Sequence, residues 1–145
     1  MLDEVSGLWP DGGEAGLGRI RTFQRIQLDS WYFTAHFYED PVQPGSLGLE
    51  ALVQTARALL TLKGWLDGIE DPVWEQPIIG FPLAWRYRGQ VVPTNDEVVT
   101  EVEALEVDIV DGESVTLKVY GTQWVDGLRI YEVPSFAIRV RARGK

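Results

Sequence analysis

Between Leu47 and Gly64 the chain is apolar at Leu47, Leu49, Ala51, Leu52, Val53, Ala56, Ala58, Leu59, Leu60 and Leu62, and no proline interrupts it. That density predicts a long α-helix, apolar almost all round and therefore buried. Its exception is one stripe: Ser46, Glu50, Gln54, Arg57 and Thr61 recur at spacings of four, four, three and four, so they stack along a single helix face. Ahead of the helix, Pro41 and Pro44 push the residues before them into extended backbone, which places the helix start at Gly45 and Ser46, with Ser46 as the expected N-cap.

Elsewhere the period drops towards two. Met1 to Gly18 opens with a short apolar-acidic piece and reaches a turn at Pro10-Asp11-Gly12-Gly13, which reads as a first strand or a frayed end. From Arg19 to Leu28, Ile20, Ile26 and Leu28 mix with Arg21, Arg25 and Gln27, a half-buried strand. Asp29 and Ser30 then open a loop rich in rings: Trp31, Tyr32, Phe33, His36, Phe37 and Tyr38. Beyond the helix, Trp65 to Gln76 reads as a connection, with turn signals at Asp67-Gly68 and Asp71-Pro72.

A strand is predicted over Phe81 to Arg88, where Phe81, Leu83, Trp85 and Tyr87 alternate with Pro82, Ala84, Arg86 and Arg88. In the next, Val98, Thr100, Val102 and Ala104 share one phase and Leu105, Val107 and Ile109 the other, a slip that predicts a β-bulge near Ala104. Asp111-Gly112 and Asp126-Gly127 are hairpin signals separating strands at about Ser114 to Val125 and Leu128 to Arg143. With no repeat, linker or low-complexity tract, residues 1–145 are expected to form one α+β domain, a long helix wrapped by a curved antiparallel sheet.

Composition narrows the chemistry. The chain has 145 residues, enough to bury a core, and six Trp, five Tyr and five Phe. It has no cysteine and one histidine, which excludes disulfides, thiolate nucleophiles, sulfur-bound zinc and multi-histidine metal sites. A formal charge of −9 argues against nucleic acid as partner. No apolar run reaches the roughly 18 residues a membrane span needs, and no signal peptide opens the chain, so a soluble, cytoplasmic protein is expected.

The single histidine, His36, precedes Glu50 by fourteen residues. Imidazole is the side chain whose ordinary pKa, ~6.5, lies near neutrality, so His36 is the candidate base. Glu50 is placed near the start of the helix, where the dipole favours the anion and an apolar surround favours the acid. Gly45 offers a backbone N–H that can face a carbonyl oxygen gaining charge. Together they suit abstraction of a proton α to a carbonyl with loss of a β-hydroxyl. Spacing alone leaves other readings open: a histidine held structurally among rings, a carboxylate stabilising the early helix, and a Pro-Gly that does no more than start it.

The segment His36-Phe37, then Asp40-Pro41-Val42-x-Pro44-Gly45-x-Leu47-Gly48-Leu49-Glu50-Ala51 and Gln54, resembles the active-site motif of hotdog-fold 3-hydroxyacyl-acyl carrier protein dehydratases. The branch is that of the 3-hydroxydecanoyl dehydratases and the dehydratase domains of polyunsaturated fatty acid synthases. Gly89-Gln90-Val91-Val92-Pro93 and Asp126-Gly127 with Ile130-Tyr131 extend the resemblance along most of the chain. It implies the hotdog fold and no cofactor beyond the phosphopantetheine that carries the substrate.

As to roles, the resemblance implies that His36 takes the α-proton, Glu50 orients or protonates the leaving hydroxyl, and the Gly45 N–H polarises the thioester carbonyl. Phe37, Val42, Pro44 and Gln54 fall at its substrate-binding positions. Glu50 stands where the decanoyl branch usually has aspartate, as the general fatty acid synthesis dehydratases do, so isomerisation stays open. The decanoyl enzymes carry further residues before the first strand. The domain here begins almost at Met1, and so is expected to come from a larger synthase.

The resemblance further implies sites shared by two hotdogs, hence a homodimer or pairing with another hotdog domain. A hotdog thioesterase and a non-catalytic hotdog that completes a partner's fold are the competing readings. Arg139, Arg141 and Arg143 alternate along the last strand, as Arg86 and Arg88 do earlier. They are either the wet face of a strand or a docking patch for an acidic carrier protein.

Overall fold

A computed structural model describes residues 1–144, and Lys145, the last residue of the expected domain, lies outside the described residues. In chain order the elements are β1 (Glu4–Trp9), β2 (Arg19–Arg25), α1 (Trp31–Ala35), α2 (Gly45–Leu62), β3 (Pro72–Glu75), β4 (Arg86–Tyr87), β5 (Glu97–Val110), β6 (Ser114–Val125) and β7 (Leu128–Ala142). The strands form one antiparallel sheet ordered β1-β2-β5-β6-β7-β3, with β4 also paired to β7.

The sheet curls because its long strands are bulged. Register slips between Ala104 and Glu106 on β5, where the change of phase in the sequence predicts it, and again between Val119 and Gly121 and between Gln123 and Trp124 on β6. Each slip adds local twist and bend. The concave face receives α2, whose Leu52, Ala56, Leu59 and Leu60 are each 0–1% exposed and recur at helical spacing. They pack in one cluster with Ile20, Val98, Val102, Val119, Phe136 and Ile138 from four strands. Helix and sheet approach closely at Gly121, where a Cβ would lie 2.7 Å from Cδ2 of Leu52.

A short polar chain crosses this core. Thr55 donates its hydroxyl to the Ala51 carbonyl at 2.7 Å, so the 2.8 Å contact with Thr22 is a bond donated by Thr22. Gln123, fully buried, donates to the Thr100 hydroxyl at 3.1 Å. At the β6–β7 turn the carboxylate of Asp126 accepts the backbone N–H groups of Asp96 and Glu97, each at 3.0 Å, and the amide of Asn95. These bonds, the one from Glu97 foremost, hold that carboxyl below its ordinary range.

Four local expectations are corrected. Ser46 is not the N-cap: α2 starts at Gly45, two residues earlier than that cap would give, and Pro44, at φ −52° and ψ 133°, occupies the cap with no side-chain bond. The Pro44 carbonyl instead accepts the Leu47 N–H at 2.9 Å, which closes the first turn through the backbone. The aromatic loop contains the five-residue helix α1, too short to leave a periodic signal, with Tyr32 and Phe33 buried. The connection from Trp65 to Gln76 contains the edge strand β3, whose Pro72 sits at the first position, where a strand tolerates the missing N–H.

The fourth correction shapes the site. Of the strand expected from Phe81 to Arg88, only Arg86 and Tyr87 pair with β7. The segment touches the β7 edge through Ile78 N–H to Ala137 and Arg88 N–H to Ile130, and between these points it bows away. Pro77 and Pro82 have no N–H to continue the ladder, and Gly80 takes φ 85° in the turn that links Phe81 back to Ile78.

Candidate active site

His36 follows the last residue of α1 in extended backbone and opens a tight loop. That loop is closed twice over the same pair: the Val42 N–H donates to the His36 carbonyl at 2.8 Å, and Nδ1 of His36 lies 2.9 Å from the Val42 carbonyl oxygen. A carbonyl can only accept, so Nδ1 carries the proton and Nε2 is left as the basic nitrogen of the neutral ring. Phe37 stacks on the imidazole with ring centroids 3.7 Å apart and is itself 57% exposed. Val42 is buried, and the Gln43 N–H donates to the Val91 carbonyl at 2.9 Å, so the Gln90-Val91 stretch braces the loop from behind.

The loop feeds through Pro44 into α2. The first N–H groups of a helix have no carbonyl one turn back, and among the described residues neither the Gly45 nor the Ser46 N–H meets a protein acceptor. The Gly45 carbonyl does have a partner: the hydroxyl of Tyr131, on β7, donates to it at 3.1 Å. Tyr131 is 4% exposed, and burial, followed by the neighbouring Tyr87 in an edge-on contact of 5.2 Å, pushes its hydroxyl well above the ordinary phenol range.

Glu50 lies in the second turn of α2, past the first turn where a helix dipole acts most strongly on a charge. It lines an apolar cleft of about 190 Å³ together with Leu49 and Val53 of α2, Phe136 of β7, and Pro77 and Leu83 of the bowed segment. One turn further along, Gln54 donates its amide to Oε1 of Glu50 at 2.9 Å, which aims the carboxyl and confirms the polar stripe as a structural unit. Further along the stripe Arg57 sits over the ring of Trp74, 4.5 Å from the centroid.

The structure therefore gathers the residues named from the sequence into two groups. His36, Phe37, Val42, Pro44 and Gly45 occupy one loop and helix start, while Glu50 lines the cleft and Gln54 is hydrogen-bonded to Glu50. His36 is not among the side chains that line the Glu50 cleft. Arg139, Arg141 and Arg143 point outward with acids beside them: Glu75 of β3 is 3.6 Å from Arg139 and 2.9 Å from Arg141, and Asp71 pairs with Arg143. Among the described residues no three His, Cys, Asp or Glu side chains are grouped to hold a metal ion, and no helix is long and apolar enough to cross a membrane.

Sequence reading missed Tyr131 and Gln123. Their only trace was indirect, in the Ile130-Tyr131 pair after the hairpin and in a glycine, Gly48, that lets the helix start approach both of them. A Cβ at Gly48 would lie 2.3 Å from Cε2 of Tyr131 and 2.8 Å from Oε1 of Gln123.

Comparison with known proteins bears on this arrangement. A family model described as the FabA-like domain matches residues 1–134. Over 144 residues, 96% of this chain, the sequence is 34% identical to one of the subunits of a polyunsaturated fatty acid synthase from Thraustochytrium sp., and it spans 9% of that relative's length. Among solved structures, the fold resembles the dehydratase heterocomplex ApeI:P from Xenorhabdus doucetiae, with a TM-score of 0.63, 12% identity, and coverage of 99% of this chain and 83% of that one. It also resembles a hypothetical thioesterase with coenzyme A from Streptococcus pneumoniae, with a TM-score of 0.57, 12% identity, and coverage of 96% and 85%. At these identities the structural likenesses establish the hotdog fold, a long helix in a curled antiparallel sheet.

Proposed function

Because the chain belongs to the FabA-like domain family, we propose that it is a dehydratase which removes water from 3-hydroxyacyl thioesters and leaves trans-2-enoyl thioesters. In this reading Nε2 of His36 takes a proton from the α-carbon. The electron pair left behind forms the double bond as the bond from the β-carbon to its hydroxyl breaks. The departing hydroxide takes the proton of the Glu50 carboxyl and leaves as water, and the proton held by His36 passes back to Glu50 through solvent. The Gly45 N–H faces the thioester carbonyl, where charge collects as the α-proton leaves.

The observation that carries the reading is the bond from Nδ1 of His36 to the Val42 carbonyl, because it fixes the tautomer an acid–base histidine needs. Likeness to part of a synthase supports a substrate presented on the phosphopantetheine of an acyl carrier protein, in fatty acid, polyunsaturated fatty acid or polyketide synthesis. Phe37, Val42, Pro44 and Gln54 would border the acyl thioester. His36 is not among the side chains lining the Glu50 cleft, which fits a site completed by a second hotdog, either another copy or a second domain of a longer synthase. The substrate and the enoyl product are both handled as thioesters, so the assay is direct. Incubation with a 3-hydroxyacyl pantetheine thioester should yield the mass of the dehydrated thioester. Free thiol with an intact hydroxy acid would instead make the protein a thioesterase.

Arg139, Arg141 and Arg143 are assigned to docking of an acidic carrier protein, which would exchange its own carboxylates for Glu75 and Asp71. Reversing all three to glutamate should raise the apparent KM for carrier-bound substrate about tenfold, a plausible size for three exposed charges. KM for a pantetheine thioester should not change. An equal effect on both substrates would assign these arginines to holding β3 on the sheet.

A further inference from the structure

The start of α2 is held from beneath by two side chains that the acid–base scheme does not use. Tyr131 reaches across from β7 to donate its hydroxyl to the Gly45 carbonyl at 3.1 Å. Its register partner on β6 is Gln123. Gln123 is fully buried, uses its amide N–H on Thr100, and leaves Oε1 without a hydrogen-bond partner among the described residues, against Gly48. An unpaired buried amide oxygen beneath a helix start costs free energy.

The Gly45 carbonyl and the Ser46 N–H belong to the same peptide group. A hydrogen bond accepted at that oxygen draws electron density along the peptide and makes its N–H a stronger donor. The Ser46 N–H meets no protein acceptor among the described residues, and Ser46 borders the same cleft as Glu50. We infer that Tyr131 is a positioning residue for thioester carbonyl binding: it fixes the first turn of α2 and polarises the Ser46 N–H, so that this N–H and that of Gly45 hold the carbonyl together. The inference rests on the dehydratase reading for its substrate but not for its geometry. Because burial keeps the Tyr131 hydroxyl protonated through the neutral range, it remains a donor wherever the enzyme would work.

The test is Tyr131→Phe, which keeps the ring and removes only the hydroxyl. kcat for a 3-hydroxyacyl pantetheine thioester should fall about tenfold, the scale of one net hydrogen bond, while KM changes less than twofold. A purely structural role would move stability and not the carbonyl. The second readout is therefore the difference infrared spectrum of a bound enoyl pantetheine thioester carrying ¹³C at its carbonyl. Wild type should move the carbonyl stretch to lower frequency on binding, and Tyr131→Phe should lose a measurable part of that shift. This spectrum is read on the folded protein, so a lowered thermal midpoint does not obscure it.

An unchanged kcat with an unchanged carbonyl frequency overturns the inference, as does a wild type that binds the thioester with no carbonyl shift. A wild type that shifts the carbonyl but forms no enoyl product overturns the dehydratase reading instead. Tyr131 is then judged by the spectrum alone.

Discussion

Replacing His36 with alanine should lower 3-hydroxyacyl thioester dehydration by about 10²–10⁴-fold, the loss expected for a positioned acid–base group, with the fold intact. His36 is half-buried and its side chain makes one hydrogen bond, to the Val42 carbonyl. Removing it costs on the order of 1 kcal/mol at a partly exposed site, small beside the catalytic effect. Turnover and thermal midpoint measured on the same preparation separate the two. Glu50→Ala should fall by a similar factor, because Glu50 is the one carboxyl among the side chains lining the cleft, and the hydroxyl of Ser46 is too weak an acid to replace it.

The two single variants also test whether the site is shared. If His36 and Glu50 of one site come from different chains of a homodimer, mixed and re-paired variants should recover about a quarter of wild-type activity, since half the dimers then hold one intact site of two. No recovery after verified exchange of chains would place both residues of a site in one chain, or in a pairing other than a homodimer.

The second large effect is expected at Gly48. A Cβ there would meet Cε2 of Tyr131 at 2.3 Å and Oε1 of Gln123 at 2.8 Å. Neither neighbour yields easily, since Tyr131 is tied to Gly45 and Gln123 is fully buried. Alanine in a helix interior gains about 1 kcal/mol of propensity over glycine. Overpacking costs about 1–3 kcal/mol, and more when the contact is hard. At these distances the steric term wins, so Gly48→Ala should be destabilised by a net ~1 kcal/mol in denaturant titrations. Its activity should fall further than stability explains, about 10²-fold, because the first turn of α2 must shift and carry the Gly45 N–H with it. A variant as active as wild type would mean that this turn does not hold the substrate.

How much of this was written in the sequence depends on how local the signal was. The helix from its apolar density, the β5 bulge from a change of phase between Ala104 and Leu105, and the two Asp-Gly hairpins were all legible, because each is set by residues within a few positions. The departures share a cause. The five residues of α1 are too few for a period, and β3 is a short edge strand that exists only because β7 is there to pair with it. The segment after Pro77 alternates like a strand, but its prolines cannot extend a ladder, so it bows out and becomes a wall of the cleft.

The site divides along the same line. His36, Gly45 and Glu50 lie in one continuous motif, and Gln54 follows from helical spacing. The contact of Tyr131 with Gly45, 86 residues apart in the chain, leaves no local trace except the absent side chain at Gly48. Nor could spacing reveal that Nδ1 of His36 would be committed to Val42, or that His36 would not line the Glu50 cleft.

The most direct test of dehydration at this site is exchange at the α-carbon. With a 3-hydroxyacyl pantetheine thioester in heavy water, wild type should form enoyl product and, through the reverse reaction, return deuterium to the α-carbon of remaining substrate. His36→Ala should do neither. Release of free thiol from wild type with no deuterium at the α-carbon would contradict it, since a thioesterase cuts the thioester without ever touching that proton.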